Sequence, residues 1–192
     1  MNPLKNILRG KSRRLPALLA LGLGLILIAA SIYYLAIEET TPADLSAIPA
    51  RVDYPAPELA LNDLTGNRAS LADYRGQVVL VNLWATWCPP CKQEMPAFEA
   101  YYRKHADQGF TIIAVNDGDP APEVAEFVEE YGLTFPIWLD PAYVATEQAF
   151  KTLNLPSSFV INRDGQIVLR WVGGVNLRTL EEYLTPIIEE QP

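Results

Sequence analysis

The sequence predicts an α/β domain: a central mixed sheet flanked by helices, with a long apolar segment ahead of it. Three observations carry this. The apolar run Val78 to Leu83 leads through a stretch of helical spacing to a second apolar run, Phe110 to Val115, which reads as strand–helix–strand. Ser158 to Asn162 and Gln166 to Trp171 flank Arg163-Asp164-Gly165, a strong turn signal, and read as a hairpin. Leu177 to Glu190 then closes the chain with the periodicity of a helix, so that helices are available for both faces of one sheet.

Taken in order, residues 1–14 form a basic tail containing Lys5, Arg9, Lys11, Arg13 and Arg14, with no acid before Glu38. Residues 15–37 carry no charge. At about 1.5 Å per residue they span roughly 34 Å, enough for a single transmembrane helix. The positive-inside rule places the tail in the cytoplasm and sends the rest of the chain to the extracytoplasmic side of the cell membrane. A cleaved signal peptide is the competing reading. Its apolar core would be unusually long, and no small-x-small cleavage site precedes the polar stretch that follows. Residues 38–57 hold Pro42, Pro49, Pro55 and Pro57 and read as a Pro-rich linker, reaching at most about 66 Å when stretched. The domain itself is expected over 58–192.

It should open with a β-hairpin, Leu59 to Leu71, turning at Thr65-Gly66-Asn67. After Cys91 a helix should run to about His105, with Met95, Phe98, Tyr101 and Tyr102 inward. Pro122 to Tyr131 and Ala142 to Phe150 read as helices and Phe135 to Leu139 as a strand. His105, far along the first of these helices, is expected at the surface. No internal repeat and no phosphate-binding glycine loop is present. Without the basic tail, 10 basic and 23 acidic residues remain, an acidic surface that argues against nucleic acid as a partner.

The chemistry concentrates at Trp84-Ala85-Thr86-Trp87-Cys88-Pro89-Pro90-Cys91, which holds both cysteines of the chain. A C-x-x-C at a strand-to-helix junction puts the first sulfur at a helix N-terminus, where free N–H groups and the helix dipole stabilise a thiolate. The second sulfur lies one turn on, within reach of a short disulfide ring. A structural disulfide is one alternative, but so small a loop gains little from a cross-link. A zinc site is another, and it needs about four ligands where His105 is the one further soft donor. Redox cycling of the pair is the better account, with no metal and no cofactor expected.

Residues 54 to 190 resemble the membrane-tethered thioredoxin-like proteins of the TlpA/ResA type. The resemblance rests on Ala56-Pro57-Glu58-Leu59, Leu71-Ala72-Asp73-Tyr74-Arg75-Gly76, Val81-Asn82-Leu83-Trp84-Ala85-Thr86-Trp87-Cys88, Cys91-Lys92-Gln93-Glu94-Met95-Pro96, Tyr131-Gly132 and Leu155-Pro156-Ser157-Ser158-Phe159-Val160-Ile161-Asn162. It implies a thioredoxin-like fold and a thiol-disulfide oxidoreductase, with Cys88 as an exposed nucleophile and Cys91 as the resolving cysteine. By the same resemblance Pro156 is a cis-proline facing the dithiol, which leaves the backbone of Leu155 free for a bound peptide. Trp84 and Trp87 read as core or as shields of the sulfurs, and Trp87, adjacent to Cys88, is the one expected against a substrate. Glu94 would be a partly buried acid that tunes the thiols and shuttles a proton; on spacing alone it reads first as a surface glutamate in the first turns of a helix. Ordinary thioredoxins carry an Asp at the position of Asn82, so Glu94 is the acid available.

The implied reaction is reduction of disulfides in exported proteins, including the haem-attachment cysteines of apocytochrome c during cytochrome c maturation, with electrons from a transmembrane donor of the CcdA or DsbD kind. Pro90 removes one N–H from the Cys88 sulfur, which favours a reducing couple. A redoxin-type peroxidase, a Sco-type copper chaperone and a non-catalytic tethered binding module are the rival classes.

Overall fold

The structure, a computed structural model, describes residues 22, 24–31 and 47–190. The chain divides after Asp44 into two units. In the first, residues 22 and 24–31 are helical. The anchor expected over 15–37 therefore lies mostly outside the described residues, as does the basic tail. Among the described residues, no helix is long and apolar enough to cross a membrane.

The second unit contains eight strands: β1 (Ala50–Pro55), β2 (Ala60–Asp63), β3 (Arg68–Ser70), β4 (Val78–Trp84), β5 (Phe110–Asn116), β6 (Ile137–Leu139), β7 (Ser157–Ile161) and β8 (Gln166–Val172). Three longer helices accompany them: α1 (Pro89–His105), α2 (Ala121–Tyr131) and α3 (Leu177–Glu189). The strands form one sheet in the order β1-β8-β7-β4-β5-β6-β2-β3. The β4–β5 and β5–β6 pairs are parallel and the other pairs antiparallel. β4 and β5 are buried at every position, as central strands covered on both faces must be.

Alternation along β4 decides which face each side chain serves. Val78, Leu80 and Trp84 pack with Met95, Phe98 and Tyr101 of α1, Val124 and Phe127 of α2, and Leu180 and Leu184 of α3. Val79, Val81 and Leu83 face the other way, with Leu59, Leu61, Trp138 and Phe159. Asn82 shares the parity of Leu80 and Trp84, so it points toward α1.

Three expectations change. The linker does not run to Pro57, because Ala50–Pro55 is a strand paired antiparallel with β8. Its alternation is weak and almost all of it is exposed, so only long-range pairing creates it; Pro55 is tolerated there because β1 is an edge. The helix expected over Ala142–Phe150 is a single wide turn, Val144–Ala149. Its start is fixed by the Asp140 carboxylate, which accepts the N–H groups of Val144 and Ala145, and its end by Phe150 stacking on Phe159 at 4.4 Å. His105 is not at the surface. It is 3% exposed, its ring lies 4.4 Å from that of Tyr101, and its Nδ1 pairs with Gln108.

Candidate active site

Cys88 ends the loop after β4 and caps α1. Its backbone is extended, and its sulfur accepts the N–H of Cys91 at 3.3 Å. Pro89 and Pro90 fill the first two helical positions and have no N–H to give, so Cys91 supplies the first amide the sulfur can use. Cys88 and Cys91 form a disulfide, with Cα atoms 5.3 Å apart. Cys88 is less accessible than expected: in this oxidised form it is 3% exposed, because it packs into the cluster that contains Met95 and Val175. The neighbouring Trp87 is 68% exposed, whereas Trp84 is fully buried and lies against Phe127, ring centroids 4.7 Å apart and tilted by 42°. The loop between them is braced by Asp119, whose carboxylate accepts the Thr86 N–H and an amide N–H of Asn116.

One turn beyond Cys91 stands Glu94, wholly buried. Its Oε1 accepts from Asn82 Nδ2 at 2.9 Å, and its Oε2 accepts from the Val175 N–H at 3.2 Å. Burial pushes its pKa from 4.5 up to about 8, against the smaller opposing effect of those two hydrogen bonds. No cation among the described residues compensates it. The carboxyl therefore titrates near neutral pH, where a proton carrier works best.

Asn82 also donates to Ser158 Oγ at 3.0 Å, while its own Oδ1 is buried and unpaired. Asn82 and Ser158 lie within sequence motifs and Val175 in none, and the sequence by itself links none of them to the acid. The available signal was one amide inside the otherwise apolar run Val78–Trp84, since a buried amide requires polar partners.

The Leu155–Pro156 bond is cis. Pro156 is buried and Leu155 half-buried, immediately before β7, and Leu83 of β4 pairs with Ser157. The loop is tied to the end of β8 by the Gly173 N–H, which donates to the Pro156 carbonyl at 2.8 Å. No hydrogen bond engages the Leu155 backbone among the described residues. The residues 173–175 thus join the proline loop to the Glu94 carboxyl.

Two cavities, of about 460 and 520 Å³, are lined by other residues. The first lies at the far end of the sheet, around Tyr74, Gln77 and Asn162. The second lies behind the proline loop, between Leu153, Arg170 and Val172. Neither is lined by Cys88 or Cys91, and the exposed side chain beside the buried disulfide is Trp87. Among the described residues, no group of three or more His, Cys, Asp or Glu side chains is placed to hold a metal ion.

Comparison with known proteins agrees with this geometry. The AhpC/TSA family profile matches residues 52–170. The thiol-disulfide oxidoreductase ResA of Geobacillus kaustophilus is 38% identical over 135 residues, which is 69% of this chain and 75% of that protein. ResA of Bacillus subtilis is 36% identical over 132 residues, covering 69% and 73% of the two chains. Among solved structures, a putative thiol:disulfide interchange protein DsbE from Chlorobium tepidum superposes with a TM-score of 0.65 at 30% identity, over 72% of this chain and 98% of that one. The fold is thus thioredoxin-like, with the dithiol where the sequence had put it.

Proposed function

We propose that this chain, which belongs to the AhpC/TSA family and is a thiol-disulfide oxidoreductase of the ResA type, acts as a disulfide reductase outside the cytoplasm, held to the cell membrane by residues 15–37. The observation that carries the reducing direction is the Cys88 sulfur, which receives one backbone N–H because Pro89 and Pro90 supply none. Fewer donors stabilise the thiolate less, and a less stabilised reduced form makes a more reducing couple.

In the forward reaction the Cys88 thiolate attacks one sulfur of a substrate disulfide. The substrate S–S bond breaks, one substrate thiolate leaves and is protonated, and a mixed disulfide remains. Cys91 then gives up its proton and attacks the Cys88 sulfur, releasing the second substrate thiolate. Two electrons have passed to the substrate, and the chain is left with the Cys88–Cys91 disulfide. Glu94, one turn from Cys91, accepts the Cys91 proton and returns it when the disulfide is next reduced. Leu155 offers its free backbone to the substrate peptide beside Pro156, and Trp87 covers the other flank.

Exported proteins with disulfides are the substrate class in this reading, the paired cysteines of apocytochrome c haem sites among them. A CcdA- or DsbD-like membrane protein restores the dithiol. Ala47 already donates its N–H to the Gly174 carbonyl, so the tether is left with residues 38–46, at most about 30 Å of chain. That is about half the reach expected from the linker alone. It joins the domain next to Val175, on the Glu94 side of the site.

The test is trapping. Cys91→Ser in the reduced full-length chain should accumulate a mixed disulfide with a disulfide-linked peptide, and Cys88→Ser should form none. Turnover that survives Cys88→Ser would overturn the mechanism. Pro90→His should raise the reduction potential by about 30 mV, the equivalent of roughly one restored hydrogen bond.

A further inference from the structure

Glu94 and Asn82 form a closed polar island within an apolar core. Both side chains are fully buried. The groups that reach Glu94 are Asn82 from β4 and the Val175 N–H from the loop before α3; Ser158 of β7 reaches Asn82. Cys91 precedes Glu94 by one turn of the same helix, and no charged side chain among the described residues perturbs the carboxyl. In the arrangement seen, every contact Glu94 makes is with a donor, which suits the carboxylate alone. A protonated Glu94 carries an O–H and requires an acceptor, since a buried hydroxyl left unpaired is costly.

One unpaired acceptor lies in the island: Asn82 Oδ1. A half-turn of the Asn82 amide about its terminal torsion exchanges Nδ2 and Oδ1. Oδ1 then faces both Glu94 and Ser158. The Ser158 hydroxyl, which accepts from Nδ2 in one orientation, donates to Oδ1 in the other, because a hydroxyl can do either. The Val175 N–H stays on Oε2 throughout. The first orientation leaves Oδ1 unpaired and the second leaves the two N–H groups of Nδ2 unpaired, so the bond made to Glu94 decides which is adopted.

We propose that Asn82 is a positioning residue whose amide turns over as Glu94 gains or loses its proton, holding the acid in one place through both halves of the exchange. The proposal rests on the reading that Glu94 exchanges a proton with the dithiol. It explains why an amide, rather than an apolar residue or a second acid, stands at position 82. An apolar side chain serves neither state, and an acid would compete for the same proton.

The experiment is a nuclear magnetic resonance titration of the full-length chain in detergent, in its disulfide form so that the cysteines do not titrate. The side-chain amide protons of Asn82 are followed from pH 5 to 10, with Glu94→Gln as the variant that removes the titration. Reorientation predicts that their Overhauser contacts to Glu94 and Ser158 exchange for a different set across the Glu94 titration, and that Glu94→Gln abolishes the exchange. Amide contacts that stay the same at every pH, while Glu94 visibly titrates, would overturn the proposal.

A kinetic arm uses Asn82→Leu. If the amide serves both states, its loss slows formation of the Cys88–Cys91 bond about tenfold with little movement of the pH inflection. If it only donates to the carboxylate, the inflection moves up by about one pH unit or more, and the proposal fails. The reading beneath it fails differently: Glu94→Gln would then leave the resolving rate and its pH profile unchanged.

Discussion

Glu94 and Glu99 stand five residues apart on the same helix, and both are buried, yet their surroundings differ in kind. Burial pushes Glu99 up as well. There, however, the N–H and hydroxyl of Thr134 and the guanidinium of Arg103 outweigh it and hold the acid below its usual range. Glu94 has two neutral donors and no cation, so burial wins and it rises to about 8. Glu99 ties α1 to the segment before β6 as a fixed charge. Glu94, beside the dithiol, remains free to change its charge at physiological pH. Burial alone does not set the charge of an acid; the donors and cations that compensate it do.

The largest expected effect breaks the comparison at Glu94. In the disulfide form, the native state keeps the Glu94 proton between pH 4.5 and about 8, while the unfolded state has lost it. The native state therefore binds more protons in that window, and stability falls as pH rises through it, by about 5 kcal/mol in total. Glu94→Gln should flatten that slope and be the more stable protein at pH 9, while resolving mixed disulfides more slowly. Denaturant melts at pH 5, 7 and 9 check this, and an unchanged slope in the variant would show that the acid is already ionised.

A smaller effect is expected at Glu99. Glu99→Gln should cost about 2 kcal/mol, from charge-assisted bonds to Thr134 and Arg103 that an amide reproduces only in part, and should leave the exchange rate per folded molecule unchanged. The smallest is Arg103→Ala. This cation is largely exposed, so its removal should cost about 0.5 kcal/mol, with Thr134 still holding Glu99 ionised. A loss of several kcal/mol in that variant would mean that the ion pair, rather than the Thr134 contacts, sets the state of Glu99.

The dithiol, Glu94 and the Leu155–Pro156 turn were legible in the sequence because each belongs to a short motif. C-x-x-C fixes its own position at a strand-to-helix junction, and Glu94 follows Cys91 by one helical turn. What was not legible depends on distant partners. Asn82 and Val175 meet Glu94 across 12 and 81 residues of chain. β1 exists because β8 offers it an edge, with Ala50 opposite Arg170, and its own residues carry little strand pattern. His105 was misplaced for a similar reason: its helix turns that side chain onto Tyr101 of the same face, and a polar residue near a helix end reads as exposed until the packing is known.

The most direct test of the central claim is the reduction potential of the Cys88–Cys91 couple in the full-length chain, measured at pH 7 by equilibration against dithiothreitol and glutathione buffers. A value below about −200 mV is the predicted result and marks a reductase. A value near about −120 mV would mark a disulfide donor and contradict the role assigned to Pro89 and Pro90.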